Sequence, residues 1–312
     1  MKIGVIGFGA AAIGFLLELK GSEHEITVYE KFKFNSEVKD ILISDKATVV
    51  FADDTTIVCD NVIVGAGRTG FRLVKNIIKV HPELILENTK VDLGIRFEVP
   101  NHVVDDLNRE MYEFKVKLRT ETGYSVRTFC NNPSGFVVTE QYNDFKTVNG
   151  HAKLNEKSTN TNFAILVTHS FTEPFNDPIG YGSYIAKLSN LLAGGDKVIL
   201  QTFSDFKRTK RTKHLGRVIP TLPEEEYILG DLNLVFPGKT RKALIEFIET
   251  LDEVVPGIAY PDNLMYGIEC KFYSNKVANT NPVVKFMGDC SGWTRSITYA
   301  TAHGVYLAEQ YK

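Results

Sequence analysis

The chain has 312 residues, with 36 Lys and Arg against 38 Asp and Glu and a formal net charge of −2. Hydrophobic residues make up 43% and charged residues 24%, which argues against a disordered chain or a coiled coil. At roughly 150 residues per domain, this length predicts about two domains. No stretch approaches the roughly 18 to 20 apolar residues of a membrane span, so we expect no membrane association.

The four cysteines, Cys59, Cys130, Cys270 and Cys290, lie far apart and form no C-x-x-C pair. A disulfide framework or a zinc site is therefore not expected in a chain of this size. The apolar run near the N-terminus is interrupted by glycines and has no signal-peptide cleavage pattern, so we interpret it as folded structure. These features predict a reduced, cytoplasmic protein without a bound metal.

The first thirty residues have the pattern of a strand, a glycine-rich turn, a helix and a second strand. Lys2 to Ile6 is a short apolar run of the kind that a buried parallel strand needs. The next residues, Gly7-Phe8-Gly9-Ala10-Ala11-Ala12, match G-x-G-x-x-G/A with alanine in the third place. Ala12 to Leu19 predicts a helix, and Glu25 to Tyr29 predicts the second strand. Glu30 follows at about the distance expected of a ribose-binding acid, roughly 20 residues after the first glycine.

This arrangement favours a dinucleotide ligand. Gly7 allows the tight turn, Gly9 leaves room for a pyrophosphate, and the small Ala12 lets the helix pack closely on the strand. Free N–H groups and the helix dipole attract the anion. The Glu30 carboxylate suits a ribose 2′,3′-diol and repels a 2′-phosphate. The alternative is a tight strand–helix turn that binds no ligand.

A second glycine-rich segment follows another apolar strand, Asn61 to Val64. Gly65-Ala66-Gly67-Arg68-Thr69-Gly70 also matches G-x-G-x-x-G, and Phe71 to Val80 predicts a helix. Three short alternating segments precede it and predict a meander: Phe34 to Ile43, Ala47 to Phe51 and Thr55 to Cys59. A meander that returns to a strand ending in Gly-x-Gly is typical of FAD domains. We therefore expect Gly65, Ala66 and Gly67 to contact the same nucleotide; a separate NAD(P) site is the alternative.

The C-terminal end resembles a second nucleotide motif. Val283 to Met287 predicts a strand, and Ser296 to Gln310 predicts a final helix. Between them, Gly288 and Asp289 with a turn of small residues resemble the second FAD motif of glutathione-reductase-type flavoproteins. The resemblance implies that Asp289 accepts a hydrogen bond from a ribityl hydroxyl and that the helix N-terminus faces the flavin C2 carbonyl. This motif favours FAD over NAD; the alternative is an ordinary strand–turn–helix.

From about residue 91 to residue 260 the pattern changes to short alternating strands with two helices, Tyr181 to Ala193 and Lys239 to Leu251. The predicted strands are Gly94 to Val99, Tyr112 to Leu118, Tyr124 to Cys130, Phe136 to Thr139 and Phe163 to Ser170. Several stretches are similar to a poorly characterised family of FAD-dependent dehydrogenases: Gly94 to Glu98, Thr128 to Val138, Val148 to Gly150, Phe163 to Thr168, Gly267 to Glu269 with Lys271, and Gly288 to Ala300. Their order across most of the chain implies the family's fold and its dependence on FAD, but no substrate.

We therefore predict an α/β fold with two parts. Residues 1–90 and 262–312 form a Rossmann-like FAD-binding domain with a three-stranded β-meander, and residues 91–261 form an inserted, mainly antiparallel α+β substrate domain. The predicted cofactor-binding residues are Gly7, Gly9, Ala10, Ala11, Ala12, Glu30, Lys31, Val38, Gly65, Ala66, Gly67, Asp289, Gly292, Ser296 and Ile297.

The junction after Glu30 departs from the resemblance. In such flavoproteins a long segment separates the ribose acid from the meander, whereas here Lys31 and Phe32 lead almost directly into the meander, which is predicted to begin at Phe34. We expect that the sequence lacks a segment between Lys31 and Phe32. The alternative is a compact variant.

Four residues are predicted to be catalytic. The resembling family tends to have small residues beside the flavin at the position of Arg295. The resemblance therefore implies that this arginine lies near the flavin, where its positive charge would stabilise the anionic reduced flavin or bind an acidic substrate. Glu269 and Lys271 alternate on a strand that leads toward the flavin in that family, and their i, i+2 spacing places both on one face. Cys130 is the fourth candidate. The alternative for Arg295 is an exposed arginine at a helix start. For Glu269 and Lys271 it is a surface ion pair, and for Cys130 it is a buried structural cysteine. His169 is either a proton donor or a structural histidine.

The predicted function is an FAD-dependent dehydrogenase that transfers a hydride through flavin N5 to or from a polar small molecule, with NAD(P)H as a candidate electron donor. The run from Lys207 to Arg217 carries five cations in its first seven residues. A solvated loop is the simpler interpretation of this run, and no nucleic-acid motif accompanies it. Two alternatives remain open: an FAD enzyme that acts on or near nucleic acid through this run, and a flavin-binding protein without turnover.

Overall fold

A computed structural model of the protein describes residues 1–31, 35–67, 70–87, 90–142, 144–172, 174–175, 177–273 and 275–312. The chain divides into two compact units. Unit 1 comprises Met1–Thr89 and Tyr273–Lys312, and unit 2 comprises Lys90–Phe272.

The strands, in chain order, are β1 (Lys2–Ile6), β2 (Glu25–Tyr29), β3 (Val38–Ile43), β4 (Ala47–Phe51), β5 (Thr56–Cys59), β6 (Asn61–Val64), β7 (Ile85–Glu87), β8 (Val91–Pro100), β9 (Lys117–Arg119), β10 (Ser125–Asn132), β11 (Phe136–Gln141), β12 (Lys146–His151), β13 (Asn160–His169), β14 (Val198–Thr202), β15 (Tyr227–Leu229), β16 (Leu264–Phe272), β17 (Lys276–Val277) and β18 (Val284–Phe286). The α-helices are α1 (Ala10–Glu18), α2 (Phe71–Val80), α3 (Asn101–Glu110), α4 (Pro178–Leu192), α5 (Phe203–Lys207), α6 (Gly238–Asp252) and α7 (Ile297–Ala308).

The centre of unit 1 is a four-stranded parallel sheet with the order β18-β6-β1-β2. Helices α1 and α7 pack tightly against one another beside this sheet. A Cβ atom at Gly304 would overlap the carbonyl oxygen of Ala11, and one at Gly14 would overlap that of Thr301. Glycine at these two positions therefore lets the two helix backbones approach closely.

A three-stranded antiparallel sheet with the order β3-β4-β5 lies between β2 and β6 in the chain. Its apolar side chains, such as Ile41, Val49 and Phe51, share a core with the parallel sheet. The predicted start of the first of these strands, Phe34, lies outside the described residues, and β3 begins at Val38. The remaining strand bounds differ from the predicted ones by one residue at most.

Unit 2 is built on a seven-stranded sheet with the order β15-β14-β16-β8-β13-β10-β9. All its neighbouring strands are antiparallel except β14 and β15. One face packs against α4 and α6 in a large apolar core that includes Ile95, Phe97 and Phe247. The hairpin β11–β12 packs over part of the other face, where Val137 and Val148 contact Leu264 and Tyr266.

The boundary predicted at residue 262 is wrong. β16 pairs with both β14 and β8, so residues 262–272 belong to unit 2 and the chain returns to unit 1 at Tyr273. The predicted boundary followed the last predicted helix of the middle region, but long-range strand pairing decides where a sheet ends. The strand predicted over Tyr112 to Leu118 is also shorter, because only Lys117–Arg119 pairs with β10.

Among the described residues, no helix combines the length and the apolar character that a membrane crossing needs.

Candidate functional site

The turns that follow β1 and β6 contact one another. Gly7 follows β1 with a backbone φ of +90°, and a Cβ atom there would lie 2.6 Å from the carbonyl oxygen of Gly65. Only glycine adopts this φ without strain and leaves that space free. Because β1 lies beside β6 and β6 lies beside β18, the turns after these three strands meet at one edge of the sheet, where open α/β sheets bind ligands.

A cavity of about 210 Å³ lies at this edge, and we call it the glycine cavity. It is lined by Gly9, Ala10, Ala11, Gly65, Gly67, Gly288, Asp289, Ser296, Ile297 and Ala300. A Cβ atom at Gly9 or at Gly67 would meet nothing within 4 Å, so open space lies directly against the backbone. Gly288 and Ala300 were not among the predicted contacts. Helical spacing identifies Ala300, which lies about one turn after Ile297.

Two helices begin at the glycine cavity. α1 follows Gly9, and no side chain caps its N-terminus. α7 follows Ser296, whose hydroxyl oxygen accepts a hydrogen bond from the Tyr299 N–H at 3.2 Å. The unpaired N–H groups and the positive dipole end of a helix N-terminus stabilise a bound anion. The cavity is therefore suited to a negatively charged group.

The turn from Gly288 to Ser291 forms one wall of the glycine cavity. Gly288 has a φ of +67°, and a Cβ atom there would lie 2.8 Å from Cβ of Ala11. The turn thus packs directly on the start of α1. The Asp289 carboxylate accepts a hydrogen bond from Thr294 Oγ1 at 2.8 Å, which orients this acid at the cavity wall.

The other predicted cofactor residues do not line the glycine cavity. Ala12 is fully buried in the core between α1 and the sheet, so its role in the structure is close packing. Lys31 forms an exposed ion pair with Glu37 at 2.8 Å, and Val38 packs on the core of the meander. Glu30 is partly buried after the end of β2. The remaining predicted cofactor residues that do not line the cavity are Gly7, Ala66 and Gly292. Phe32, and Arg68 and Thr69 of the second glycine-rich segment, lie outside the described residues.

Unit 2 contains a second group of candidate residues, on the sheet face opposite its helices. β8 alternates apolar and polar residues, so that Asp92, Arg96 and Glu98 point to this face although all three are buried. The paired positions on β16 include Glu269 and Lys271, which are also buried. Burying charge costs free energy unless it is paired and hydrogen-bonded, so such a face is typical of a functional site.

The Arg96 guanidinium is the centre of this face, and it is fully buried. Its Nε donates to Asn162 Oδ1 at 2.8 Å, and its Nη2 donates to the Cys130 carbonyl oxygen at 2.8 Å. Nη1 lies 3.4 Å from Glu269 Oε2. A Cβ atom at Gly150 would overlap Arg96, so glycine is required there. We call Arg96, Cys130, Asn162 and Glu269 the arginine cluster.

Within the arginine cluster, Arg96 contacts two of the predicted catalytic residues, Cys130 and Glu269. Arg96 itself was not predicted to be a site residue. Arg96 lies inside the stretch Gly94 to Glu98 that carried part of the family resemblance, but it was not singled out there. The signal was the pattern of β8, in which Asp92, Arg96 and Glu98 fall on one face of a strand whose other residues are apolar or glycine.

Glu269 and Lys271 share a face as predicted, and neither is exposed at the surface. Burial raises the pKa of the Glu269 carboxyl to about 7, even though the neighbouring Arg96 lowers it. Lys271 Nζ lies 3.3 Å from the centre of the Phe129 ring, a cation–π contact. The surface ion pair that was the alternative for Glu269 and Lys271 is therefore excluded.

Cys130 lies at an irregularity of β10, where the register with β13 shifts between Phe129 and Asn132. Its backbone has a φ of +51°, a left-handed conformation that costs a non-glycine residue free energy. The Arg96 guanidinium and the Asn132 side-chain amide both donate to the Cys130 carbonyl oxygen. These two hydrogen bonds hold the conformation.

The raised pKa of Glu269 predicts a pH-dependent stability. Because this pKa is about 7 in the folded protein against 4.5 for an unperturbed glutamate, the folded state holds a proton between these values that the unfolded state has lost. The free energy of unfolding should therefore fall by about 2–3 kcal/mol as the pH rises from 4.5 to 7.5. Urea unfolding of wild type and of Glu269→Gln across this range isolates the contribution, since the amide cannot ionise. Glu110→Gln, at the exposed end of α3, should follow the wild type, and parallel curves for wild type and Glu269→Gln would contradict the prediction.

The remaining sequence candidates, Arg295 and His169, are not among the residues that line the glycine cavity or form the arginine cluster. Arg295 is exposed in unit 1, and its guanidinium carbon lies 4.2 Å from the centre of the Tyr273 ring. His169 is buried, with Nδ1 3.0 Å from the Val167 carbonyl oxygen and Nε2 3.0 Å from Thr240 Oγ1. Burial lowers the pKa of His169, which favours its structural interpretation over a proton donor.

The cationic run forms an exposed loop after α5. Its position is fixed by the buried Thr212, whose hydroxyl donates to Asp205 Oδ2 at 2.7 Å, and by Gln201, which donates to the Lys210 carbonyl oxygen. Lys207 pairs with Glu249 at 2.5 Å. Across the part of the chain that the structure describes, no group of three or more His, Cys, Asp or Glu side chains is arranged to hold a metal ion.

Comparison with known proteins decides the family. The model of the family "FAD-dependent protein, C-terminal domain-like" matches residues 90–272, which is unit 2 and more than half of the chain. The chain belongs to this family of FAD-dependent proteins. FAD is accordingly its cofactor.

An uncharacterized protein of Clostridium beijerinckii is 24% identical to this FAD-dependent protein over 310 residues, which cover 88% of this chain and 56% of that protein. The chain thus spans little more than half of the length of this curated relative. Among solved structures, a salicylate hydroxylase substrate complex is similar, with a TM-score of 0.46, 10% identity and coverage of 99% of this chain and 79% of that chain. HpxO of Klebsiella pneumoniae, complexed with FAD and uric acid, has a TM-score of 0.40, 12% identity and coverage of 99% and 79%.

The glycine cavity of this FAD-dependent protein fits part of the cofactor. Its volume of about 210 Å³ is below the roughly 300 Å³ at which pockets for drug-sized ligands begin, so the cavity is smaller than a site for a whole dinucleotide. The open space at Gly9 and the uncapped start of α1 are what a diphosphate requires. The residues present therefore fit FAD.

Proposed function

We propose that this chain is an FAD-dependent oxidoreductase that transfers a hydride between a polar small molecule and flavin N5. The observation that carries the proposal is the glycine cavity, in which the turns after β1, β6 and β18 leave open space against the Gly9 backbone at the start of an uncapped helix. When bound, FAD supplies the redox chemistry, so the chain has to bind it, orient the substrate and move protons.

In this proposal the FAD diphosphate lies against Gly9, Ala10 and Ala11, where the α1 N–H groups stabilise its negative charge. Glu30, which follows β2, accepts hydrogen bonds from the ribose hydroxyls. Asp289 accepts one from the ribityl chain. Lys31, Val38 and Gly292 remain proposals without support from the cavity, and Gly7 and Ala12 act through packing.

Gly65 and Gly67 line the same cavity as Gly9, which supports the proposal that both glycine-rich segments serve one FAD. A separate NAD(P) site on the second segment is then not required. NAD(P)H stays a candidate electron donor that reaches the bound cofactor from solvent.

The charged face of unit 2 is the proposed substrate side. Lys271 supplies a positive charge for an acidic or carbonyl group of the substrate. Glu269 is the proposed proton donor or acceptor, since a pKa of about 7 lets it do either at neutral pH. Cys130 presents a thiol beside this face on a backbone that Arg96 holds in place. Arg295 is proposed to contribute positive charge at the start of α7.

Spectroscopy of the purified protein tests the function. Absorbance bands near 370 and 450 nm on the native protein, bleached anaerobically by NAD(P)H or by a candidate substrate, would support an oxidoreductase. Bound FAD that no donor or substrate reduces would favour a flavin-binding protein without turnover. Salt-sensitive binding of RNA or DNA, lost when Arg208, Lys210 and Lys213 are neutralised, would favour the nucleic-acid alternative.

Arg295→Ala tests the role of that arginine. A positive charge near the flavin stabilises the reduced form, so its removal should lower the flavin midpoint potential. Arg295 is exposed, and exposed charges contribute about 0.5–1 kcal/mol, which corresponds to about 10–20 mV for a two-electron couple. Spectroelectrochemistry of wild type and variant measures this shift. An unchanged potential with weaker substrate binding would indicate a substrate contact, and no change in either would leave Arg295 a solvated residue.

A further inference from the structure

The Gly288–Ser291 turn, one wall of the glycine cavity, is held from two directions. From within, Ser291 Oγ donates to the Gly288 carbonyl oxygen at 2.6 Å. From outside, the Gly288 N–H donates to Nδ1 of His303, on α7, at 3.3 Å. α7 also lines the cavity at its first turn, through Ile297 and Ala300. The imidazole thus ties two walls of one cavity together.

This hydrogen bond requires a neutral imidazole. An N–H donor can bond only to a ring nitrogen that carries no proton, so Nδ1 must be bare and the proton must lie on Nε2. When the ring is protonated, both nitrogens become donors, and the Gly288 N–H then faces another N–H. Gly288 also packs directly on Ala11, so a shift of the turn changes the cavity at the start of α1.

We propose that His303 is a positioning residue for the cofactor, and that FAD is retained only while this imidazole is neutral and holds the Gly288 N–H. The inference rests on the proposed FAD site in the glycine cavity. It predicts that acid releases FAD through one titrating side chain, without unfolding of unit 1.

The surroundings of His303 support this. Its ring is partly buried, and burial lowers its pKa below the usual value because the charged form loses solvation. Besides His303, the titratable groups on α7 are Tyr299 and Tyr306. On the elements packed against α7 they are Asp289 and Cys290 of the turn, Glu309 and Tyr311 after the helix, and Glu18 of α1. Glu18 forms an ion pair with Lys312. Among the described residues, burial is the cause that lowers this pKa.

The test measures FAD affinity against pH. FAD is titrated into the deflavinated full chain between pH 5 and pH 8, and binding is followed by quenching of flavin fluorescence. For wild type, the Kd should be constant above about pH 7 and should rise by up to about tenfold per pH unit once the pH falls below the His303 pKa. This sign follows because the bound state excludes the proton that the free state accepts.

Three variants separate positioning from packing. His303→Asn places a carbonyl oxygen near the position of Nδ1 and does not titrate, so it should keep the high-pH affinity within about twofold and remove the pH dependence. His303→Leu has no acceptor and should bind FAD about three- to tenfold more weakly at every pH. His102→Asn, at an exposed position on α3, is the control and should behave as wild type.

A second measurement does not depend on FAD. The chemical shift of the Gly288 amide should titrate with His303 in the flavin-free wild type and should be independent of pH in His303→Asn. A wild-type Kd that is constant from pH 5 to 8, or that keeps its pH dependence in His303→Asn, would overturn the inference and leave the proposed function standing. Failure of the wild type to bind FAD at pH 8 would instead refute the proposed FAD site and the inference with it, and the amide titration would still show whether His303 holds the turn.

Discussion

Gly9→Val should abolish the retention of FAD while the protein stays folded. A Cβ atom at residue 9 would meet no protein atom within 4 Å, and the Gly9 backbone is extended, so the fold accepts valine there. The same side chain would occupy the space in which the diphosphate is proposed to lie. We expect the Kd for FAD to rise by about 100-fold, which corresponds to about 2.8 kcal/mol and lies at the upper end of the about 1–3 kcal/mol that overpacking of a close contact costs. The measurement is the ratio of flavin to protein absorbance after purification, followed by an FAD titration.

Gly238→Val is the matched control for Gly9→Val. Gly238 also stands at the start of a helix with open space around it, but it belongs to unit 2 and is not among the residues that line the glycine cavity. It should keep FAD at the wild-type level. A Gly9→Val protein that is folded by circular dichroism and still purifies yellow would refute the proposed position of the cofactor.

Arg96→Met should destabilise unit 2 by about 3–5 kcal/mol, the cost of breaking a buried, hydrogen-bonded ion pair from one side. The substitution leaves Asn162 Oδ1 without the N–H that it accepts from Arg96, and it removes one of the two hydrogen bonds that hold the left-handed Cys130 backbone. Glu269 also loses the positive charge that lowers its pKa, so this pKa should rise further. Urea unfolding at pH 7 measures the loss of stability.

Two variants make the Arg96 result interpretable. Arg109→Met removes an exposed arginine that pairs with Asp106 on α3, and it should change stability by less than about 0.5 kcal/mol. The double variant Arg96→Met, Glu269→Gln should lose less than the sum of its single variants, because the two side chains interact. A fully additive double variant would show that Arg96 and Glu269 are not coupled.

The predictions from sequence were most accurate for local structure. The elements around the first glycine-rich turn, β1, α1 and β2, lie where apolar runs and turn glycines indicated, with shifts of one or two residues at helix ends. Apolar periodicity and glycine are local signals, since each depends on a few neighbouring residues. The same holds for the alternating segments of β4 and β5.

Contacts between distant parts of the chain were much less visible. β16 was assigned to the wrong unit because its partners β8 and β14 are far away in sequence. The arginine cluster combines residues of β8, β10, β13 and β16, and no local pattern shows that one guanidinium would bind all of them. His303 was overlooked for the same reason, as its partner Gly288 is reached only when α7 folds back beside the turn.

The sequence of this protein therefore specified which turns carry glycine, where the nucleotide-binding strands and helices lie, and that acidic and basic residues recur on buried strands. It did not specify which charges would meet. Strand order brings the turns after β1, β6 and β18 to one edge of the sheet. The register between β8 and β16 places Arg96 and Glu269 near each other on the same face of the other sheet. Both depend on hydrogen bonds and side-chain packing between segments that are far apart in the chain, and the burial that shifts the pKa of Glu269 and of His303 arises only when these segments come together.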